Sequence, residues 1–189
     1  MISLKAYCLP LSQILGLSPD ALYERQRVLA RGGHFAGAIS GKGPGSGVRA
    51  TVRNVSRLLL STLAADALSE IDEKTRKFGA IKQINGKCPF TGENRLQNAL
   101  EKILGSPELA ASVRRLAVRR EDLAATITYD ADRAYDNSDF GAPRPVPIDP
   151  PILGRRITAT LEGWSIEMIA QDLRDAASGV PLSNHVPRK

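Results

Sequence analysis

The chain has 189 residues, enough to bury an ordinary hydrophobic core as one domain or two small ones. Hydrophobic residues make up 42%, and no apolar run approaches the roughly 20 residues that span a bilayer, which argues against a helical membrane protein. The net charge of +6 and the pI of about 9.6 suit a polyanionic partner.

Residues 1–10 hold one lysine and no continuous apolar stretch, so no signal peptide is expected and a cytoplasmic location is. The first helix is expected over 9–15, where Leu11, Ile14 and Leu15 have helical spacing, and Gly16 interrupts it. Ser18-Pro19-Asp20 is a strong helix start: serine caps, proline at N1 loses no hydrogen bond, and the acid favours the first turn. The second helix should run from 19 to about 31 and stop at Gly32-Gly33. It puts Leu22, Arg25, Gln26 and Leu29 on one side and Asp20, Tyr23, Glu24, Arg27 and Arg31 on the other.

A hairpin is expected next, with strands over 35–40 and 48–50. Its tip, 41–47, packs four glycines, a proline and Lys42 into seven residues. Thr51 is a good cap for a third, core helix from 52 to about 68. Residues 69–87 are charged and contain Gly79 and Gly86, so a frayed end and a linker over 71–87 are expected.

A second unit begins near Cys88. Helices are expected over 94–104 and 107–116, the latter capped by Ser106. A half-buried strand over 123–129 and a partner strand over 157–161 alternate in the manner of sheet residues, with a long loop, 130–151, between them. Ser165 is expected to cap a final helix reaching about 176, and residues 179–189 form a flexible tail. The expected fold is therefore mainly α, of α+β type. Residues 1–70 form a winged helix-turn-helix, and 88–178 form a small α+β unit suited to dimerisation.

The charge is unevenly placed. Residues 1–65 contain eight bases against two acids, Asp20 and Glu24, so they carry the whole excess of the chain. A local positive field of this kind is what a nucleic-acid footprint requires. The outer face of the second helix offers Tyr23, Arg27 and Arg31 to a major groove, and the hairpin can approach the minor groove or the backbone. Ser18 at the start of that helix, with Lys42, Arg49 and Arg53 at or beside the hairpin, completes the candidate DNA-binding set.

The stretches LSQILGLSPDALYERQRVLARGG, GKGPGSGVRAT and RNVSRLLLSTLAAD, in that order, resemble the DNA-binding domain of the MerR superfamily. The resemblance covers about residues 9–68. It implies that Tyr23 and Arg27 sit on a recognition helix, that Lys42 and Arg49 are wing contacts, and that Arg53 lies at the start of the helix after the wing. No sustained heptad follows Leu68, so the long coiled coil typical of such regulators is not expected.

No enzymatic motif and no cofactor site is expected. A phosphate loop at Gly37–Lys42 fails, because only three residues separate Gly37 from Gly41 and Gly43 replaces the Ser or Thr that holds magnesium. Two isolated cysteines, Cys8 and Cys88, make neither a zinc motif nor a disulfide framework. Asp130, Asp132, Asp136 and Asp139 are clustered, but their spacing fails a calcium loop, and a solvated acidic loop is expected.

The expected function is a sequence-specific, double-stranded DNA-binding transcriptional regulator of a phage or other mobile element, acting as a homodimer. One alternative is a DNA-packaging or recombination accessory factor of small-terminase or excisionase type. The other is a metal-dependent nuclease using the aspartate loop.

Overall fold

A computed structural model describes residues 2–35, 47–131, 135–141 and 157–182. Helix α1 spans Leu4–Leu15, with the Ser3 hydroxyl accepting from the Ala6 N–H at 3.2 Å. It starts five residues earlier than expected. Leu4, Tyr7, Leu11 and Ile14 keep an apolar stripe through Pro10, so burial outweighs the one backbone bond that proline forfeits. Gly16, at φ 64°, ends the helix in the left-handed conformation that favours glycine. Helix α2, Pro19–Arg31, follows after this tight turn with the expected bounds.

Residues 47–50 return beside the N-terminus. The Leu4 N–H donates to the Val48 carbonyl at 2.8 Å and the Ala50 N–H to the Ile2 carbonyl at 3.0 Å. The expected strand over 35–40 falls almost wholly outside the described residues, as does most of the hairpin tip.

Helix α3, Val52–Ala64, is capped by Thr51 and ends four residues before the expected position. Its last carbonyls are taken by side chains instead of by a further turn. Arg25 donates to Ser61 and Ala65 carbonyls at 2.9 and 3.0 Å, and Arg120 to Leu63 at 2.7 Å.

The stretch expected to be a linker holds helix α4, Ile71–Ala80. Ile71, Thr75 and Phe78 are buried along one side. The exposed side carries three i,i+4 pairs, Glu70–Lys74, Asp72–Arg76 and Glu73–Lys77.

Helices α5 (Leu96–Leu104) and α6 (Pro107–Ser112) come next, α6 capped by Ser106 as expected. The chain then turns directly into strand β1, Val113–Arg119, where a continued helix was expected. Its neighbours are β2 (Ala124–Asp130), β3 (Tyr135–Gly141) and β4 (Thr158–Glu162), in the antiparallel order β3-β2-β1-β4. The two expected strands therefore do not pair with each other, because β1 lies between them.

Strand β3 lies within the expected loop. Its Asp and Asn residues have low strand propensity, but they are matched across the pair. Thr128 donates to Asn137 at 2.8 Å and Tyr129 to Asp136 at 3.0 Å, while Ser138 and Phe140 turn inward.

Helix α7, Gly163–Ser178, covers the sheet and reaches α1. It starts before Ser165, which is buried inside the first turn and is not the cap. A Cβ on Gly163 would lie 1.9 Å from the Val113 carbonyl oxygen, so this close approach of α7 to β1 needs glycine. The Tyr7 hydroxyl donates to Asp172 at 3.3 Å between α1 and α7, both groups buried. The described core is one contiguous cluster from Leu4 to Leu173, so both halves of the chain contribute to it.

Candidate nucleic-acid interface

Helix α2 is held by both its ends and its inner face. Ser18 caps it, its hydroxyl accepting from the Ala21 N–H at 3.1 Å. Leu22, Gln26 and Leu29 are buried. Arg25 is drawn onto the end of α3, and burial lowers its pKa from the usual arginine value while the Asp66 carboxylate opposes that shift. Arg25 therefore serves the fold.

The outer face is different. Arg27 is exposed and paired with Glu24 at 2.9 Å, one turn earlier. Arg31 is exposed in the last turn, where a cation complements the helix dipole. Tyr23 is half-buried, with the Lys5 ammonium 4.8 Å from its ring centroid.

Arg49 is half-buried in the bridge with Ser3, and its carbonyl accepts from the Asn54 side chain at 3.0 Å. Arg53 is exposed in the first turn of α3. Lys42 lies outside the described residues.

The candidates do not form one cluster. Thirteen helical residues span about 20 Å, so Ser18 and Arg31 stand at opposite ends of α2. Tyr23 turns toward α1 through Lys5. Arg53 does meet the far end of α2. It lines a cleft of about 500 Å³ together with Gly33 and His34, which follow Arg31 by two and three residues.

Sequence reasoning missed three further arginines on that cleft, Arg57, Arg76 and Arg95. Arg57 stands one turn beyond Arg53, a spacing open to inspection. Arg76 and Arg95 lie in the expected linker and second unit, and only tertiary packing brings them here.

His34, which follows the end of α2, is buried, with its Nε2 2.6 Å from Asp72 Oδ1. This contact, then Arg76, holds the Asp72 carboxyl below the usual carboxylate range. A Cβ on Gly32 would lie 2.5 Å from the same Asp72 oxygen, so the glycine lets α4 approach the end of α2.

The aspartates expected in the long loop have separate partners. Asp130 meets Arg114 at 2.6 Å, Asp136 accepts from Tyr129, and Asp139 accepts from Thr126 at 2.5 Å. Asp132 lies outside the described residues. Among the described residues no three His, Cys, Asp or Glu side chains gather as a metal site, and no helix is long and apolar enough to cross a membrane. No family model, no curated protein and no solved structure matches the chain.

Proposed function

We propose that the protein is a sequence-specific binder of double-stranded DNA that acts as a transcriptional regulator, reading the duplex through a MerR-like winged helix-turn-helix. One observation carries this reading. Helix α2 commits its inner face and Arg25 to the fold, yet leaves Arg27 and Arg31 at the surface, with Arg53 exposed at the start of α3 beyond its end.

A helix so held can enter a major groove without reorganising, and arginine can bond bidentately to guanine or to phosphate. The Glu24 partner of Arg27 is a weak obstacle. An exposed i,i+3 pair is worth about 0.2–0.5 kcal/mol, less than one good base contact at about 1–3 kcal/mol. The uneven distribution of charge along the sequence gives the same end of the chain its positive field.

The test is selection from a pool of random duplexes with the wild type, Arg27→Ala and Lys42→Ala. The expected outcome is an enriched motif with two-fold symmetry, its half-sites about one helical turn apart. Arg27→Ala should blur the motif, and Lys42→Ala should weaken binding evenly across sequences. Salt-sensitive retention without a motif would instead mark an architectural DNA-binding factor. No retention at moderate salt would overturn DNA binding altogether.

A further inference from the structure

The cleft between α3, α4 and the start of α5 holds an arrangement that the fold does not explain. Arg53, Arg57, Arg76 and Arg95 line it, against a single lining carboxylate, Glu101. Arg76 has Asp72 at 2.9 Å. Among the described residues Arg53, Arg57 and Arg95 have no ion pair.

Arg53 and Arg57 are one turn apart on the same helix, a spacing at which like charges repel. The pKa of Arg57 is lowered, first by burial and then by the Arg53 charge, with Glu101 acting in the opposite sense. Glu101 also accepts a bond from Gln97 at 2.9 Å, which engages one of its oxygens.

A second observation is independent of charge. Thr75 is only 2% exposed and lines the same cleft, and its hydroxyl oxygen has no hydrogen-bond partner. A buried hydroxyl without a partner costs free energy, and such groups in folded proteins call for an explanation. An anionic oxygen in the cleft would accept that proton. A third feature adds to these. The first turn of α5, which also lines the cleft, has no side-chain cap, because Arg95 occupies the cap position without bonding to it.

We infer that this cleft is a binding site for a phosphate group, clamped by Arg53, Arg57 and Arg95 and oriented by the Thr75 hydroxyl. Guanidinium groups match phosphate oxygens in planar, two-point fashion, and a cleft lined by charged and polar side chains does not suit an apolar ligand. The volume of about 500 Å³ admits pyrophosphate or a nucleotide-sized phosphoester. The phosphate belongs either to a small phosphorylated ligand or to the backbone of a bound duplex.

The test titrates the full chain with sodium pyrophosphate and, separately, with a 20-base-pair duplex. It compares the wild type, Thr75→Val and the double variant Arg57→Gln/Arg95→Gln. Without ligand, Thr75→Val should melt no lower than the wild type, since valine leaves no orphan hydroxyl.

If the source is a small ligand, pyrophosphate raises the wild-type melting temperature and binds at least tenfold more weakly to the double variant and severalfold more weakly to Thr75→Val. Duplex affinity then stays unchanged. If the source is a duplex, the double variant loses at least tenfold in duplex affinity, and pyrophosphate competes with the duplex. Pyrophosphate binding that none of these substitutions alters, or no binding of pyrophosphate together with an unchanged duplex affinity, overturns the site.

Should the chain bind no DNA, the pyrophosphate titration alone decides, so this site and the DNA reading fail separately. Should the double variant not fold, Glu101→Gln serves in its place. It removes the lining carboxylate and should tighten pyrophosphate severalfold, and an unchanged or weaker affinity overturns the site.

Discussion

On the sheet side of the molecule Arg114 meets Asp130 at 2.6 Å, Arg119 meets Asp122 at 3.3 Å, and Arg120 meets Asp66 at 2.5 Å. Around the cleft of α3, α4 and α5, Arg53, Arg57 and Arg95 have no ion pair among the described residues. Arg115, exposed on β1, shows that a single arginine without an acid partner is unremarkable. Three in one cleft, beside an unbonded buried hydroxyl, are not. Arg25 and Arg120 are tied to helix-end carbonyls and serve the fold, whereas Arg53, Arg57 and Arg95 are gathered on one cleft without an ion pair among the described residues.

The largest expected effect comes from the arginines tied to the end of α3. Arg25→Ala or Arg120→Ala frees carbonyls at the end of α3, and a hydrogen bond to a charged group is worth about 1.5–3 kcal/mol. Urea unfolding should show a loss of about 2–3 kcal/mol for either variant. Arg53→Gln probes the second group. Its stability should stay within about 0.5 kcal/mol of the wild type, as for other exposed substitutions. Its duplex binding should weaken up to about tenfold at low salt, near 1.4 kcal/mol.

A smaller effect concerns Asp72, where the two groups meet. Its folded pKa is depressed, chiefly by the hydrogen bond with His34, so the stabilisation is present above the ordinary carboxylate pKa and is lost as pH falls through the folded value. The melting difference between wild type and Asp72→Asn should thus be full near neutrality and shrink below about pH 4.

The smallest signal compares the two halves as packing units. Burial pushes the Cys8 thiol up to about 11, and Cys88 is equally buried beside Ser138. Alkylation at pH 8 should be slow at both sites and should speed up together on unfolding, since one core joins them. Faster alkylation of one cysteine would mean that its half opens alone.

The sequence carries the capped helices plainly. Ser18-Pro19 and Thr51 are local signals, and α2 and α3 start where they respectively place them. Helix α4 was also legible, through Glu70–Lys74, Asp72–Arg76 and Glu73–Lys77, but an expectation of charged linkers hides that spacing. Strands β1 and β3 were not. Six-residue α6 runs straight into β1, and β3 depends on cross-strand partners that no local window contains.

The same limit applies to the surface. The exposed placement of Arg27, Arg31 and Arg53 follows from helical period, while the cleft draws Arg76 and Arg95 from separate elements. Thr75 was silent in sequence, because its importance lies in a missing bond.

The most direct test of the account is the salt dependence of duplex binding by the wild type, Arg31→Gln/Arg53→Gln and Arg114→Gln. Each lost phosphate contact lowers the slope of log affinity against log salt by about 0.9, so the double variant should lose about 1.8. Arg114→Gln, which removes an arginine already paired with Asp130, should leave the slope unchanged. Equal slopes for all three proteins, or no duplex binding even at about 50 mM salt, would contradict the account.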